Sequence, residues 1–182
     1  MKSIFKNLVL VCMFICVFAS ESWSAEQAIL YDKKLVPVLR ETLPLNIDEV
    51  KELNDQDKQN VECLAWNLYF EARGGTTNEQ IAVTYVPINR TKKQYWSKDI
   101  CENVFQYNVV NGAKAYQFIW AGFNISPTWK IEYDTWKKVQ LLAYKVYTGE
   151  LSDPANGAVY FNHYSIGGGK GVVRIGSHLF FK

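Results

Sequence analysis

The chain carries little excess charge of either sign. Its 182 residues include 20 Lys and Arg against 18 Asp and Glu, so the formal net charge is only +2. No basic block stands out, and scattered lysines such as Lys92, Lys93, Lys137 and Lys138 are expected on solvated helix faces. A nucleic-acid partner is therefore not expected.

Histidine is also scarce. The chain contains only His163 and His178, and no His-Glu-x-x-His spacing occurs. A closed set of zinc ligands is hard to build from so few residues. The sequence therefore predicts neither a metal site nor another cofactor.

Long apolar runs are missing except at the N-terminus. Lys2 and Lys6 precede an apolar stretch from Leu8 to Ala19, and mostly small residues follow as far as Ala25. This arrangement is typical of a secretory signal peptide, predicted here as residues 1–24. The stretch is too short for a comfortable membrane span. We therefore expect export, signal removal and no stable membrane association, with an uncleaved signal anchor as the alternative.

Cysteine is sparse in the predicted mature chain. Cys12 and Cys16 lie in the signal segment, which leaves Cys63 and Cys101. An even pair in an exported chain favours a disulfide. Two buried free thiols are the alternative, because free cysteine is among the most buried residue types.

No internal repeat or low-complexity tract divides the chain, and its length suits one domain. Residues 25–57 are polar, weakly patterned and interrupted by Pro37 and Pro44, so they predict a linker or an N-terminal arm. Residues 58–182 form the predicted domain.

Helical periodicity begins after the N-cap pair Asn54-Asp55. The first predicted helix ends at Gly74-Gly75. A second helix is predicted from Thr77, with Gln80 completing a capping box. Pro87 is expected to kink that helix or to end its regular hydrogen bonding.

The rest of the domain mixes helix and strand. A short helix is predicted over Asp99–Gln106, a loop over Asn108–Asn124, and a long helix from Pro127, with Ser126 as its N-cap and Gly149 at its end. Two stretches rich in β-branched and aromatic residues, separated by the run Gly167–Gly169, predict a small antiparallel β-element: Ala158–Tyr164 and Val172–Phe181. The predicted fold class is α+β and mainly helical.

Glu71 is the candidate for acid–base chemistry. It lies in the segment Leu64-Ala-Trp-Asn-Leu-Tyr-Phe-Glu-Ala-Arg-Gly-Gly75, in the last turn of the first predicted helix. The helix macrodipole disfavours a carboxylate there, and the three preceding apolar and aromatic residues add burial, which raises a carboxyl pKa. Both effects favour a general acid near neutral pH. The alternative is an ordinary surface ion pair between Glu71 and Arg73.

The segment around Glu71 is followed by further blocks in a fixed order. These are Gln80-Ile-Ala-Val, Ile88-Asn-Arg90, Ile100-Cys-Glu-Asn-Val-Phe-Gln106, Gln117-Phe-Ile-Trp120, Gly157-Ala-Val-Tyr-Phe161 with His163-Tyr164, and Ile175-Gly-Ser-His-Leu-Phe-Phe181. Together they resemble the SleB-type cell wall hydrolases, a family that includes spore cortex-lytic enzymes and phage endolysins. The resemblance spans roughly Val61 to the C-terminus and leaves residues 26–60 outside it.

The resemblance implies a lysozyme-like or resuscitation-factor-like catalytic domain with one essential glutamate, matched by Glu71. It also implies cleavage of peptidoglycan glycan strands at the bond after N-acetylmuramic acid, often by a lytic transglycosylase. Two features depart from the family pattern. Pro87 stands where an aliphatic residue is usual, and Gly167–Gly171 replaces a Pro-x-Trp after His163-Tyr164.

The resemblance also assigns roles to further residues. Four are expected to line the sugar groove, with core packing as the alternative for the aromatic ones: Gln117, Phe118, Trp120 and Tyr164. His163 is expected to contact sugar or to polarise Glu71, and a hydrogen-bonded structural role is its alternative. Arg73, Asn89 and Arg90 are expected in supporting roles, the last two by fixing the helix end near Glu71.

Retaining and inverting glycosidases pair two carboxylates. The other acidic residues of the domain are expected to be helix caps or exposed charges: Glu79, Asp99, Glu102, Glu132, Asp134 and Asp153. A lytic transglycosylase needs one acid/base, because Glu71 can protonate the leaving oxygen and then accept the proton of the muramic C6 hydroxyl as that attacks C1. The missing partner favours transglycosylation, although hydrolysis stays open.

Three rival functions also stay open. They are a zinc amidase, a thiol peptidase acting on the stem peptide through Cys63 or Cys101 with His163, and a noncatalytic wall-binding module. A disulfide between the two cysteines would exclude the thiol peptidase. In each case the expected partner is peptidoglycan, and the protein is expected to act as a monomer.

Overall fold

The computed structural model describes residues 30–31, 53–123, 131–166 and 172–182. Its helices are α1 (Asp55–Ala72), α2 (Thr77–Thr91), α3 (Ile100–Val104) and α4 (Tyr133–Tyr147), with a 3₁₀ helix at Ile119–Gly122. Its strands are β1 (Leu30–Tyr31), β2 (Gln106–Val110), β3 (Ala113–Tyr116), β4 (Tyr160–His163), β5 (Val173–Ile175) and β6 (His178–Phe181). None of the helices in these ranges is long and apolar enough to cross a membrane.

Some predicted features lie outside the described residues. They are the signal peptide, most of the linker, the helix start at Ser126-Pro127 and the glycine run Gly167–Gly169.

Helix α1 forms the centre of the domain. Asn54 caps it by accepting a hydrogen bond from the backbone N–H of Asp57, as predicted. Every residue from Val61 to Tyr69 is buried, because α1 packs against α2, α3 and α4. The predicted apolar stripe is buried as expected, but here the burial continues all round the helix.

Aromatic packing fixes the second half of α1. Phe70 stacks on Trp120 with ring centroids 4.8 Å apart, and Trp120 meets Phe105 edge-on at 5.6 Å. The indole N–H of Trp120 also donates to Asn67 Oδ1 at 3.3 Å. Because these rings bury large apolar areas, they hold the turn that carries Glu71 in one place.

Helix α2 is capped one residue earlier than predicted. Its N-cap is Thr76, and the capping box is completed by Glu79 instead of Gln80. Gln80 donates its side-chain amide to the backbone carbonyls of Ala72 and Arg73, at 3.2 and 3.0 Å. Gln80 therefore satisfies carbonyl groups that α1 leaves without intrahelical donors.

Pro87 does not end α2, which continues to Thr91. Proline removes one helical hydrogen bond and crowds the preceding turn. However, α2 packs against α1, α3 and α4, and Pro87 itself is buried. Tertiary packing therefore outweighs the local cost of the proline.

Helix α4 begins later than predicted. Its first residue is Tyr133, and Ile131 and Glu132 lie outside the helix. The predicted C-terminal signal is confirmed, because Gly149 follows the helix with a φ of +80°. The short helix predicted from Asp99 is also confirmed as α3, with Asp99 as its N-cap, although α3 ends at Val104.

The loop predicted over Asn108–Asn124 is wrong for its first half. Strands β2 and β3 pair antiparallel there, with β1 as the third strand of the sheet. Between β2 and β3, Asn111 and Gly112 have φ values of +52° and +78°. Positive φ at both central residues is the requirement of the tight hairpin turn that Asn-Gly favours.

The second sheet has the order β4-β6-β5, with both pairs antiparallel. It is the β-element predicted from the two aromatic stretches. Strands β4 and β5 pack against α2, and Phe180 of β6 is fully buried in the core. The predicted α+β class, mainly helical with small antiparallel sheets, is confirmed.

The predicted disulfide joins Cys63 in α1 to Cys101 in α3. Their Cα atoms lie 5.4 Å apart, and both residues are buried. The link therefore ties the helix that carries Glu71 to the short helix before β2.

Candidate active site

The end of α1, the start of α2 and the β5–β6 turn enclose a pocket of about 620 Å³. The pocket forms there because α1 ends at Ala72 and the chain turns within four residues into α2. The lining residues come from these three places: Phe70, Glu71, Ala72, Arg73, Gly74, Gly75, Thr76, Glu79, Gly176, Ser177 and His178.

Glu71 lines this pocket from the last turn of α1, where it was predicted. Burial raises the pKa of its carboxyl group from 4.5 to about 7. The carboxyl group makes no hydrogen bond or ion pair with any residue that the structure describes. Glu71 can therefore hold a proton near neutral pH and release it to a neighbouring oxygen.

Arg73 does not pair with Glu71. Its Nη1 donates to the backbone carbonyl of Tyr69 at 3.1 Å, and its guanidinium group lies 4.8 Å from the centre of the Tyr69 ring. The guanidinium thus turns back along α1. The surface ion pair considered from the sequence is absent, so Arg73 does not oppose the effect of burial on Glu71.

Glu79 brings a second carboxylate into the same pocket. It is a capping residue, as one interpretation of the sequence had it, but it is also only 3% exposed. Its Oε1 accepts hydrogen bonds from the Ser177 backbone N–H at 2.8 Å, the Ser177 hydroxyl at 2.6 Å and His178 Nδ1 at 2.6 Å. Its Oε2 accepts one from the Thr76 N–H at 3.3 Å.

These hydrogen bonds decide the charge of Glu79. Burial by itself would raise the pKa of its carboxyl group, but the hydrogen bonds from Ser177, His178 and Thr76 outweigh burial and hold the pKa below its usual value. Glu79 is therefore a carboxylate at neutral pH, whereas Glu71 is close to half protonated. Their surroundings therefore shift the pKa values of the two carboxyl groups in opposite directions.

Two glycines make room for the Glu79 carboxylate. A Cβ atom at Gly75 would lie 2.6 Å from Glu79 Oε2, and one at Gly176 would lie 2.3 Å from it. Gly176 also has a φ of +60°. The two turns close on the carboxylate so tightly that a side chain at either glycine would displace it.

Glu79, Ser177 and His178 could not be identified from the sequence as parts of the site. Glu79 and His178 are 99 positions apart, and no local pattern links them. One signal was available, because the block Ile175–Phe181 that supports the family resemblance contains both Ser177 and His178. Nothing in the sequence indicates which acidic residue contacts the block Ile175–Phe181 in the folded protein.

The structure places Phe118 and Trp120 in the core. Each is only 3% exposed, and Phe118 stacks on Phe161 with ring centroids 5.9 Å apart. Their rings are covered by protein, because Phe118 also lies against the Arg90 guanidinium and Trp120 stacks on Phe70 of α1. Gln117 is half-buried, and its backbone N–H donates to the Gln106 carbonyl. None of the three lines the Glu71 pocket.

His163 and Tyr164 lie at the end of β4 and are exposed. His163 Nδ1 lies 2.8 Å from the Ser165 hydroxyl, and its ring is 6.3 Å from that of His178. The Tyr164 ring is 48% exposed and has the Arg174 guanidinium 4.7 Å from its centre. Both residues thus stand beside the pocket, one strand away from His178, without contacting Glu71.

Asn89 and Arg90 support the fold at the opposite end of α2 from the pocket. Asn89 donates to Asp153 Oδ2 at 2.8 Å, and Arg90 Nε donates to the Val159 carbonyl at 2.8 Å. Glu79 lines the pocket eleven positions earlier, which is about 16 Å along a helix. The predicted position near Glu71 is wrong, because these residues hold the far end of α2, and the end near Glu71 is held by Thr76 and Gln80.

Two structural findings bear on the rival functions, one on the thiol peptidase and one on the zinc amidase. The disulfide uses both Cys63 and Cys101, so neither is available as a nucleophile and the thiol peptidase is excluded. Across residues 53–123, 131–166 and 172–182, no three His, Cys, Asp or Glu side chains are placed to hold a metal ion.

A sequence model of the cell wall hydrolase family matches residues 74–181, more than half of the chain. The protein therefore belongs to the cell wall hydrolase family and is an enzyme of the cell wall. The match begins three residues after Glu71 and includes Glu79, Ser177 and His178. No curated protein sequence matches the chain.

Two solved structures are similar to this one. The catalytic domain of the germination-specific lytic transglycosylase SleB from Bacillus anthracis shares 22% identity, with a TM-score of 0.47 over 72% of this chain and 98% of that one. The catalytic domain of the Bacillus cereus SleB protein also shares 22% identity, with a TM-score of 0.48 over 75% of this chain and 98% of that one.

Proposed function

We propose that this protein cleaves the glycan strands of peptidoglycan at the bond after N-acetylmuramic acid, acting as a lytic transglycosylase with Glu71 as its catalytic acid. The observation that carries the proposal is the buried Glu71 carboxyl group, whose pKa of about 7 suits proton donation, in a pocket of a cell wall hydrolase.

Glycosidic cleavage needs a proton at the leaving oxygen as its bond to C1 breaks. Glu71 supplies that proton, because burial keeps a useful fraction of the carboxyl group protonated at neutral pH. Arg73 does not compete for the group, since its guanidinium is held on Tyr69. In the single-glutamate mechanism, the resulting Glu71 carboxylate then accepts the proton of the attacking hydroxyl.

The second carboxylate of the pocket bears on the choice of mechanism. The sequence favoured transglycosylation because it offered no partner for Glu71, and Glu79 removes that argument. A different argument replaces it. Glu79 accepts hydrogen bonds from Thr76, Ser177 and His178, so its oxygens are already engaged and ill suited to attack C1. Attack by the muramic C6 hydroxyl needs no nucleophile from the enzyme.

We place the sugar-contacting surface on the exposed side of the pocket. His163 at the end of β4 and Tyr164 directly after it are exposed there and offer polar and aromatic groups that a sugar can contact. Phe118 and Trp120 drop out of this surface because they are buried.

Export belongs to the same proposal. The substrate lies outside the cytoplasm, and the disulfide between Cys63 and Cys101 is typical of oxidising compartments. Removal of the N-terminal signal would release the catalytic domain to the wall as a monomer. N-terminal sequencing of exported protein tests this, and a chain that still begins at Met1 contradicts it.

Mass spectrometry of digested peptidoglycan tests the reaction. Transglycosylation leaves muramic acid ends closed between C1 and C6, lighter by one water than the reducing ends that hydrolysis leaves. Released stem peptides with intact glycans would instead identify an amidase. Wall binding without any new ends would identify a noncatalytic module.

Glu71→Gln tests the assigned acid. The amide keeps the shape of the side chain but cannot deliver a proton, so clearance of purified wall should fall by about 10²–10⁴-fold. Glu102→Gln is a matched control, because Glu102 is also a half-buried helical carboxyl group but lies outside the pocket. A folded Glu71→Gln protein with near wild-type clearance would remove Glu71 from the mechanism.

A further inference from the structure

His178 is a titratable side chain of the pocket to which the single-glutamate mechanism gives no role. It is the first residue of β6 and lines the same pocket as Glu71. Its side chain is 13% exposed, and its Nδ1 lies 2.6 Å from Glu79 Oε1. One edge of the imidazole ring is thus bound to the protein.

The contact with Glu79 determines which ring nitrogen of His178 carries the proton. Hydrogen bonds keep the pKa of Glu79 low, so Glu79 is a carboxylate and can only accept. Nδ1 must therefore be the donor, and in the neutral ring Nε2 is the nitrogen without a proton. No residue in the described part of the chain forms a hydrogen bond with Nε2.

Glu79 cannot easily move away from His178. Both the backbone N–H and the hydroxyl of Ser177 donate to Oε1, and the Thr76 N–H donates to Oε2. Gly75 and Gly176 close around the same oxygen. A carboxylate fixed in this way orients the imidazole and stabilises the cation that forms when the ring takes up a proton.

We propose that His178 is a second catalytic residue, whose Nε2 accepts the proton of the hydroxyl that attacks C1, and that Glu79 is the positioning residue that holds it. The proposal rests on the proposed glycan cleavage. It transfers to His178 the base step that a single-glutamate mechanism gives to Glu71.

The proton balance of the step is closed. Glu71 gives its proton to the leaving oxygen, and the electron pair of the broken C1–O bond stays on that oxygen. The attacking oxygen forms the new bond to C1, and its proton passes to Nε2. Glu71 is then a carboxylate and His178 an imidazolium, and solvent carries the proton back before the next turnover.

The charged groups around His178 come from every element at the pocket. Glu79 on α2 contacts Nδ1, Glu71 and Arg73 line the pocket from the end of α1, and the His163 ring on β4 lies 6.3 Å away. The pH dependence of catalysis should therefore be measured in variants that change one of these groups at a time.

His178→Gln is the first test. The amide can still form hydrogen bonds but does not take up a proton, so kcat should fall by about 10²-fold or more while KM changes little. The pH profile of kcat should also differ between wild type and variant, because the variant has lost the proposed proton-accepting group. An unchanged kcat, or a rise in KM alone, would overturn the proposal.

Glu79→Gln tests the positioning role. The amide cannot stabilise the imidazolium, so kcat should fall more than KM rises. Glu102→Gln is again the matched control, because Glu102 also occupies the third position of a helix and accepts a serine hydroxyl, that of Ser97, at 2.5 Å. Equal activities of the two variants would overturn the role of Glu79.

Nitrogen NMR of the wild-type imidazoles needs no folded variant at position 178. The chain has only two histidines, so a His163→Gln spectrum assigns the signals. Neutral His178 should carry its proton on Nδ1, and a proton on Nε2 would overturn the proposal.

The variants separate this inference from the proposed function. If Glu71→Gln abolishes glycan cleavage but His178→Gln leaves it unchanged, the proposed function stands and this inference is wrong. A wild-type protein that cleaves no glycan overturns both.

Discussion

The two carboxyl groups of the pocket show how single residues are set to different chemical states. Glu71 meets burial without a hydrogen-bond partner among the described residues, and its pKa rises to about 7. Glu79 is buried too, but hydrogen bonds from Ser177, His178 and Thr76 more than offset this effect. The pKa values of the two carboxyl groups therefore differ because, of the two, only Glu79 accepts hydrogen bonds from the described residues.

The raised pKa of Glu71 predicts the high-pH side of the activity profile. In the proposed mechanism the protonated form of Glu71 is the active one, and its fraction falls as pH rises through about 7. Above that value the rate should drop by about tenfold per pH unit. Initial rates of wall clearance from pH 5 to 9 at constant ionic strength check this, and a rate that stays level to pH 9 would contradict it.

The same group predicts a pH-dependent effect on stability. Below pH 4.5, Glu71 is protonated in both the folded and the unfolded chain and has no effect. Between 4.5 and about 7 only the unfolded chain releases the proton, so the folded state loses stability, and the deficit is constant at higher pH. The shift corresponds to roughly 2–4 kcal/mol.

The glutamine in Glu71→Gln cannot ionise, so the variant should not lose stability between pH 4.5 and about 7 for this reason. Its free energy of unfolding should exceed that of wild type by roughly 2–4 kcal/mol more at pH 8 than at pH 4. Urea unfolding of both proteins at the two pH values measures the difference. The same gap at both pH values would show that Glu71 is not buried as described.

At the residue scale, the sequence predicts the position and burial of Glu71, but it does not predict the other pocket residues Glu79, Ser177 and His178. A glutamate in the last turn of a helix, after three apolar or aromatic residues, carries local information about burial. The role of Glu79 arises from contacts with Ser177 and His178, which are distant in sequence. Phe118 and Trp120 show the opposite failure, because an aromatic residue suits a core as well as a sugar groove, and here both rings are buried.

At the scale of the elements, two turns, one between helices and one between strands, form much of the candidate active site. The α1–α2 turn and the β5–β6 turn meet at Glu79, and Gly75 and Gly176 lie against its carboxylate. Both glycines lie in motifs visible in the sequence, but a glycine needed for positive φ cannot be distinguished there from one needed for close approach. Gly176 meets both needs.

Gly176→Ala should therefore harm both stability and activity. A residue with a side chain costs about 1–2 kcal/mol at positive φ, and the new methyl group would also collide with the Glu79 carboxylate at 2.3 Å. Gly112→Ala is the matched control, because Gly112 has a φ of +78° in a hairpin turn with nothing within 4 Å of the added atom.

The comparison of these two variants isolates the collision. Gly112→Ala should show only the backbone cost and full activity per folded molecule. Gly176→Ala should be less stable by about 1–3 kcal/mol more and should lose activity while folded. Denaturant unfolding and wall clearance measure the two effects. Equal losses of stability and activity in both variants would mean that Glu79 can move away from the added methyl group without affecting either property.

Element prediction succeeded where the signal is local and failed where packing or turn chemistry decides. Asn54, Asp99 and Gly149 mark helix ends as predicted. The hairpin of β2 and β3 was missed although Asn111-Gly112 is a strong hairpin signal, because the flanking residues lack regular alternation. Pro87 sits inside α2 because the packing of three helices outweighs a local rule.

On the scale of the whole molecule, the disulfide links α1, the helix that carries Glu71, to α3. Cys63 and Cys101 close a loop with a sequence separation of 38. A loop of this size should contribute about 4 kcal/mol by restricting the unfolded chain. Reduction should therefore lower the free energy of unfolding by about that amount.

Unfolding with and without reductant tests this contribution. The double variant Cys63→Ser/Cys101→Ser is the control, because it should match the reduced protein and show no further response to reductant. Thiol titration of the native, oxidised protein should find neither cysteine free. Two titrating thiols would contradict the disulfide and restore the thiol peptidase as a rival.

The contact between Glu79 and His178 is also expected to form late during folding. Helices α1 and α2 are built from neighbouring residues and can form early, whereas the contact that completes the pocket joins positions 99 apart. Closing so long a segment is slow compared with helix formation. In the proposed mechanism, a chain that has gained only its helices therefore still lacks the pairing of Glu79 with His178, and cleavage becomes possible only once that contact has formed.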